Sequence, residues 1–196
     1  MRNKRTIPLV ALSLAAVLLA GLLGFYLNRS TETAAGQPFG TPFELIAMDG
    51  QPITEKAFQG HPSAVFFGFT HCPEVCPTTL FELDGWLTQL GPEGEKIRAY
   101  LVTVDPERDT VDVIRDYITA ISSRITGITG TPDKVEAMLK GYSVFYRKVP
   151  VEGGDYTMDH TASIYLLDSK GDFHGTIAYG ENPETALSKL KRLAEL

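Results

Sequence analysis

Cys72 and Cys76 are the only cysteines of the 196-residue chain, and three residues separate them. Two thiolates in one tight turn form a bidentate soft site, which favours Cu(I) and suits zinc among other metals. Pro77 suits the first position of a helix, so the sequence predicts that Cys76 is the N-cap residue of that helix. Unpaired backbone N–H groups and the helix dipole favour a thiolate there, as a metal ligand or as a nucleophile.

A disulfide that only stiffens the loop is the simplest alternative for this pair. A bridge between Cys72 and Cys76 would close a very short loop, which constrains the unfolded chain little. The stabilisation would therefore be small, and a functional thiol pair is favoured. A count of two also excludes a four-cysteine zinc site, a cysteine-ligated iron–sulfur cluster and a multi-disulfide framework.

The elements around the cysteine pair follow a regular order. Residues 64–70 form a nearly continuous apolar run, typical of a buried strand, and a helix with leucines on one face follows it. The pattern predicts further strands at 43–48, 97–104, 144–149, 163–168 and 172–179, and further helices at 111–121, at 132–142 and from Asn182-Pro183 onward. The order is therefore β-α-β-α, an excursion, and a closing β-β-α.

Strands that alternate with helices indicate a parallel part of a sheet, and the closing hairpin adds an antiparallel part. This order, with a cysteine pair at the first strand-to-helix junction, resembles the thioredoxin fold. We expect an α/β, thioredoxin-like fold with an N-terminal extension and an inserted helix plus hairpin, preceded by one transmembrane helix.

A metal site needs a donor beyond the two sulfurs, and His160 is the strongest candidate. It lies just before the strand at 163–168, and in the thioredoxin fold the loop before this strand faces the cysteine motif, usually through a cis proline. No proline occupies that loop here. A neutral imidazole would complete a Cys2His site that suits Cu(I), and one more ligand would accommodate Cu(II). The alternative is a buried histidine satisfied by hydrogen bonds; His71 should point away, and His61 and His174 are expected to have no role.

An acidic segment, Asp105–Thr110, follows the strand at 97–104. It should end near the cysteine pair, at the carboxyl edge where α/β folds place function. Asp105 or Asp109 could be an outer-shell acceptor or an oxygen ligand to Cu(II), and Arg108 could pair with either carboxylate. The alternative is helix capping by Asp109 or Thr110.

Charge is distributed unevenly along the chain. Residues 1–30 hold four basic and no acidic side chains, whereas the rest holds 14 basic and 24 acidic ones. The acidic balance argues against a nucleic-acid-binding protein. The 21 residues 7–27 carry no charge, and as a helix they would span ~31 Å, about the hydrocarbon core of a bilayer. The alternative, a cleaved signal peptide, would have a shorter apolar region of ~7–15 residues.

The flanking charges predict the orientation of this segment. Arg2, Lys4 and Arg5 precede it and only Arg29 follows closely, so the positive-inside rule keeps the N-terminus in the cytoplasm. We expect a cytoplasmic segment at 1–6, a transmembrane anchor at 7–27, a linker at 28–41 and a copper-binding domain at 42–196. A bacterial inner membrane, with the domain in the periplasm, is the simplest location.

The assembled motifs resemble the Sco (SenC) family of copper chaperones. The matching stretches are FTHCPEVCPTTL (69–80), VTVDPERDT (102–110), TGITGTP (126–132), and the run from KVP (148–150) through DYTMDH (155–160) to IYLLD (164–168). The resemblance covers about residues 38–196. It implies that Cys72, Cys76 and His160 are copper ligands, on a domain anchored by one N-terminal helix.

The resemblance also implies a function. It predicts a metallochaperone that assists assembly of the CuA centre of cytochrome c oxidase subunit II, supplied by a periplasmic copper donor and a thiol reductant. A membrane-anchored thiol–disulfide oxidoreductase that reduces the CuA cysteines is the alternative, in which the two cysteines are the redox-active pair and His160 is dispensable. Nothing in the sequence specifically supports a copper or redox sensor. A peroxidase would need an arginine and a threonine motif near Cys72, which that cysteine lacks.

Overall fold

The computed structural model describes residue 21 and residues 39–196. The chain divides into two units, residues 1–37 and 38–196, and the second is described below. The predicted cytoplasmic segment 1–6, the predicted anchor 7–27 except residue 21, and most of the predicted linker lie outside the described residues. Within the described residues, no helix has the length and apolar character needed to cross a membrane.

Nine strands and four α-helices follow one another in the described part of the chain. The strands are β1 (Glu44–Ala47), β2 (Pro52–Thr54), β3 (Ser63–Gly68), β4 (Arg98–Thr103), β5 (Ile125–Thr129), β6 (Tyr146–Pro150), β7 (Tyr156–His160), β8 (Ser163–Leu167) and β9 (Phe173–Ala178). The helices are α1 (Val75–Leu90), α2 (Val111–Ile121), α3 (Pro132–Gly141) and α4 (Pro183–Leu193).

Seven of these strands form one mixed sheet in the order β2-β1-β5-β4-β3-β8-β9. Strands β3, β4 and β5 are parallel and are joined through α1 and α2, whereas β1, β8 and β9 pair antiparallel to their neighbours. Strands β6 and β7 form a separate two-stranded sheet. The predicted α/β architecture, with a parallel centre, an inserted helix plus hairpin and a closing hairpin, is observed.

Strand β3 is almost wholly apolar because it is buried in the centre of the sheet. All six residues of β3 are buried, as expected for a strand covered on both faces. Helix α1 buries Leu80, Leu83, Trp86 and Leu87. The register pairs Gly68 at the end of β3 with Thr103 at the end of β4, so the loops that follow these strands emerge side by side. These two loops hold the cysteine pair and the acidic segment.

The predicted start of α1 is wrong by two residues. The helix begins at Val75 with Glu74 as its N-cap, so Cys76 and Pro77 are its second and third residues. The Thr78 N–H donates to the Glu74 carbonyl at 3.1 Å, so the first turn of the helix already includes the residues that precede Pro77. Proline is tolerated there because the first-turn N–H groups have no partner within the helix.

Three strands, β2, β5 and β7, were not anticipated. His160, expected in a loop, is instead the last residue of β7. The helices at 111–121 and 132–142 and the final helix after Asn182 are found within a residue of the expected bounds. Thr110 caps α2 by accepting the Val113 N–H, so Thr110 and not Asp109 is the capping residue.

Candidate metal centre

The two cysteines lie in the loop after β3 and the first turn of α1. The Cys76 side chain is fully buried, whereas Cys72 is partly exposed. The backbone N–H of Cys76 donates to Cys72 Sγ at 3.2 Å, so the Cys72 sulfur occupies the place of a capping acceptor at the start of α1. Gly68 makes room for the inner sulfur, because a Cβ at that position would lie 3.1 Å from Cys76 Sγ.

His160 reaches this pair from 84 residues further along the chain. Its Nε2 lies 3.6 Å from Cys76 Sγ, and its Nδ1 lies 3.0 Å from the Thr161 carbonyl oxygen. A carbonyl can only accept, so we assign the proton of the neutral ring to Nδ1. The lone pair of Nε2 then faces the sulfur, which is the tautomer that a metal-binding imidazole needs.

Two aromatic rings hold the imidazole in place. The His160 ring packs edge-on against Phe66 and Phe69, with centroids 6.1 and 5.7 Å away. Both phenylalanines belong to β3 or to the residue that follows it, so the cysteine-bearing strand also supports the histidine.

The two thiols have opposite acidities. A hydrogen bond from the Cys76 thiol lowers the pKa of Cys72 to about 4, and the backbone N–H groups of Cys76 and Glu74 add to this shift. The pKa of Cys76 is raised, because its thiol donates to Cys72 and is buried. The expectation that Cys76 would carry the thiolate is therefore wrong: Cys72 accepts the N–H groups at the start of α1, so the helix stabilises its charge.

The site contains two sulfur donors and one nitrogen donor. In the described residues, no three His, Cys, Asp or Glu side chains already form a metal-binding cluster. Cys76 instead donates a hydrogen bond to Cys72, and its sulfur lies 3.6 Å from His160 Nε2. The Cys76 proton therefore lies between the two sulfurs, and binding a soft metal would displace it.

Asp109 supports the cysteine loop from behind. It is fully buried and accepts three hydrogen bonds: from the Thr70 N–H at 3.1 Å, the Thr70 hydroxyl at 2.6 Å and the Thr103 hydroxyl at 2.6 Å. Burial raises the pKa of this carboxyl, although the hydrogen bonds oppose the shift. Since Thr70 lies two residues before Cys72, Asp109 fixes the position of the loop.

Asp105 supports the histidine strand instead. Its buried carboxylate accepts Arg108 Nε at 2.5 Å and the Tyr156 hydroxyl at 2.8 Å. Arg108, expected to pair with either carboxylate, pairs with Asp105 and also lies 3.3 Å from Asp155. In the described residues, both carboxylates bond to groups that hold the donors rather than to the donors themselves. An oxygen ligand from either one to Cu(II) stays a prediction.

The other three histidines lie apart from the pair. His71 is half-exposed and its Nδ1 faces the Thr70 hydroxyl at 3.1 Å and Asp109 at 3.9 Å. His61 lies beside the Ser63 hydroxyl, and His174 pairs with Asp168 at 3.2 Å.

Tyr156 is a residue of the site that the sequence reasoning missed. A signal for it was present, because Tyr156, Met158 and His160 alternate along five residues, and alternation places them on one face of a strand. Met158 on that face is buried in the core.

Comparison with known proteins places these observations in a family. The SCO1/SenC family model matches residues 31–195. Protein SCO2, mitochondrial, of Saccharomyces cerevisiae is 32% identical over 195 residues, covering 91% of this chain and 64% of that protein. The chain spans about half to two thirds of the length of the first curated relatives it matches.

Solved structures share the fold over nearly their full length. Copper-bound ScoI of Bradyrhizobium japonicum is 41% identical with a TM-score of 0.73, covering 79% of this chain and 99% of that chain. Copper-bound yeast Sco1 is 33% identical with a TM-score of 0.74, covering 81% of this chain and 90% of that one. The expected thioredoxin-like architecture is therefore one that solved Sco structures share.

Proposed function

This chain belongs to the SCO1/SenC family, and we propose that it is a copper metallochaperone that holds one copper ion through Cys72, Cys76 and His160. Two similar proteins, Bradyrhizobium japonicum ScoI and yeast Sco1, have copper bound in their structures, which supports the choice of metal.

The observation that carries this proposal is the approach of His160 Nε2 to Cys76 Sγ at 3.6 Å. Two sulfurs and one imidazole nitrogen form a soft, three-donor set, which suits Cu(I). The Nδ1 proton on the Thr161 carbonyl leaves Nε2 free to bind metal, as in many metal-binding histidines.

The chemistry of loading follows from the two thiols. Cys72 is a thiolate at neutral pH and offers the first bond, whereas Cys76 must release its proton when the ion binds. Transfer is a ligand exchange in which thiolates of the acceptor replace those of the chain one at a time. A Cys72–Cys76 disulfide cannot bind the ion, so the redox state of the pair controls loading.

We further propose an acceptor and a location. The acceptor is the CuA domain of cytochrome c oxidase subunit II, with a periplasmic copper donor and a thiol reductant acting before it. The apolar segment 7–27 would anchor the chain in a bacterial inner membrane with residues 38–196 in the periplasm. The family resemblance supports the acceptor, and the charge asymmetry of residues 1–30 supports the orientation.

An anaerobic Cu(I) titration of the reduced full-length chain, against a competing chelator, tests the metal site. We expect one equivalent to bind, and His160→Ala to weaken binding by more than ~100-fold, above the usual effect of an outer-shell change. His174→Ala is the matched control, because His174 pairs with Asp168 away from the cysteines. Equal affinity of the unmodified chain and His160→Ala would contradict the Cys2His site.

A second function, thiol–disulfide reduction, is favoured by the unequal thiols. Cys72, an accessible thiolate, would attack a disulfide of the partner and release one partner thiolate. Cys76 would then attack the mixed disulfide at Cys72, releasing the second partner thiolate, which takes up the Cys76 proton. Two electrons pass to the partner, the chain retains a Cys72–Cys76 disulfide, and an external thiol must reduce it again.

The two functions differ in their need for the histidine. If reduction is the function, His160→Ala cells retain oxidase assembly and Cys72→Ser cells lose it. If copper delivery is the function, His160→Ala cells and Cys72→Ser cells both lose oxidase assembly. Added copper should not restore assembly in Cys72→Ser or Cys76→Ser cells, because two thiolates are required to hold the ion.

A further inference from the structure

His160 and the cysteine pair are carried by two separate sheets. Hairpin β6–β7, which ends in His160, has no strand pairing with the seven-stranded sheet that leads into Cys72 and Cys76. The distance between the imidazole and the sulfurs therefore depends on the contacts that fasten this hairpin to the body. Met158 of β7 is buried in the core, and the hydrogen bonds and ion pairs that fasten the hairpin involve one loop, residues 105–110.

The first contact is a buried bridge from the loop to β7. Asp105 accepts both Arg108 Nε and the Tyr156 hydroxyl, so one carboxylate joins the loop to the first residue of β7. Arg108 Nη1 also donates to the Tyr156 carbonyl oxygen at 3.0 Å and lies 3.3 Å from Asp155. A planar guanidinium can bond in several directions at once, which a lysine ammonium on a flexible stem does less well.

Cations also flank the Tyr156 ring. The guanidinium carbon of Arg108 lies 3.8 Å from the ring centroid and Lys148 Nζ lies 4.7 Å from it. Lys148 in turn bonds to Glu107 of the loop at 2.6 Å, but this pair is about half exposed and contributes little. Of the two cations beside the Tyr156 ring, Arg108 is the more buried, with only 17% of its side chain exposed.

The same loop fastens the cysteine side of the site. The Asp109 carboxylate accepts hydrogen bonds from the N–H and the hydroxyl of Thr70. The guanidinium carbon of Arg108 lies 6.0 Å from the ring centroid of Phe69. The Phe69 ring packs edge-on against His160. One loop of six residues thus holds both halves of the donor set.

We propose that Arg108, acting through Asp105 and Tyr156, is a positioning residue that keeps His160 within reach of Cys72 and Cys76. The inference rests on the proposed copper site, since it assigns a role toward that site. Without the Arg108 contacts, hairpin β6–β7 moves away from the body and the thiol pair remains without its nitrogen donor. The chain would then keep a reducible dithiol and lose the third copper ligand.

A double-mutant cycle on copper affinity tests the inference. We expect Arg108→Lys to weaken Cu(I) binding roughly tenfold in the full-length chain, as for other outer-shell partners. In a His160→Ala background the same substitution should change the affinity less than ~2-fold, because the ligand that Arg108 positions is already gone. Equal losses in the two backgrounds would mean that Arg108 acts on the whole fold, and the inference would be wrong.

Arg147→Lys is the matched control. Arg147 pairs with Asp159 at 2.7 Å within the same hairpin, is exposed, and makes no bond to the loop at 105–110. It should leave the copper affinity unchanged, and a loss equal to that of Arg108→Lys would overturn the inference.

A measurement on the metal-free chain separates this inference from the copper site itself. In NMR spectra of the reduced full-length chain, we expect cross-relaxation between the rings of Phe69 and His160 in the unmodified and Arg147→Lys chains, and its loss in Arg108→Lys. If the unmodified chain binds no copper, the proposed function fails while this measurement still decides the role of Arg108. Persistence of the ring contact in Arg108→Lys would overturn the inference.

Discussion

The backbone N–H of Cys76 donates a hydrogen bond to Sγ of Cys72 across 3.2 Å. The sulfur closer to solvent thus receives the stabilisation that the start of α1 offers, and the buried sulfur keeps its proton. This division of roles gives the pair one reactive thiolate and one protected thiol.

The pH dependence of alkylation should report this division. The pKa of Cys72 is about 4, against an ordinary value of 9.0, so its reaction with iodoacetamide should keep a constant rate from pH 8 to pH 6 and slow as the pH falls toward 4. An ordinary thiol would slow about tenfold per pH unit over the same range. Mass spectrometry of the reduced chain identifies the labelled residue, and we expect Cys72 alone to be labelled while the chain is folded.

The Cys76→Ala chain is the control for this assignment. Loss of the Cys76 thiol removes the main cause of the lowered pKa, so the rate at Cys72 should become pH-dependent between 6 and 8. The lowered pKa also adds folding stability that is complete above pH 9 and is lost as the pH falls through about 4. A constant rate in Cys76→Ala, or labelling of Cys76 before Cys72, contradicts the assignment.

A methyl group at Gly68 should disturb the buried sulfur. The Cβ of Gly68→Ala would lie 2.8 Å from the Phe66 ring and 3.1 Å from Cys76 Sγ. Overpacking of this kind costs about 1–3 kcal/mol of unfolding free energy, which urea denaturation measures. Gly85→Ala is the matched control, because a Cβ there meets nothing within 4 Å and alanine favours the helix by about 0.5–1 kcal/mol. Equal stability of the two variants would show that Gly68 has no packing role.

Removal of the Asp109 carboxylate should loosen the cysteine loop. In Asp109→Ala, the Thr70 N–H and the hydroxyls of Thr70 and Thr103 lose their acceptor. Buried donors without partners cost about 1–3 kcal/mol, so thermal denaturation should show a clearly lower Tm. Asp112→Ala removes an exposed pair with Arg115 and should change stability by less than about 1 kcal/mol. A Tm for Asp109→Ala equal to that of Asp112→Ala would contradict this role.

Membrane attachment should depend on residues 7–27. We expect the full chain to sediment with membranes and to resist extraction at alkaline pH, since 21 uncharged residues suffice to span a bilayer. Arginine near the centre of such a helix costs about 2.5–3.5 kcal/mol per residue, so a chain with both Leu14→Arg and Leu18→Arg should become extractable. Sedimentation that survives both substitutions would exclude this segment as the anchor.

The sequence predicts the meeting of distant donors better than it predicts local detail. The meeting of the cysteine loop and the acidic loop followed from the order of strands and helices, because parallel strands end at one edge of a sheet. The approach of His160 followed from the resemblance to the thioredoxin fold, in which the segment before the strand at 163–168 faces the cysteine motif. The start of α1 could not be placed from Pro77, since proline is compatible with any of the first three helical positions. The exchange of roles between Cys72 and Cys76 depends on the hydrogen bonds that Cys72 accepts and on the burial of Cys76, which have no sequence signal.

Strand β5 was missed because its local sequence has a weak strand propensity. Gly127 lies in the middle of its five residues and weakens a strand pattern. The structure needs a glycine there, because a Cβ would lie 2.9 Å from Ile114 of α2. Close packing of α2 on the sheet therefore requires a glycine at a position where strand propensity disfavours it.

The separation of hairpin β6–β7 from the main sheet has a consequence for how an ion could leave. The copper donors lie on the hairpin and on the main sheet, so release requires only that the His160 end of the hairpin move away from the cysteines, while Met158 stays packed in the core that the two share. Opening the site would then cost only the free energy of the side-chain contacts between the hairpin and the loop at 105–110. Docking of an acceptor could supply that free energy. We expect the chain to exchange its cargo without any loss of fold.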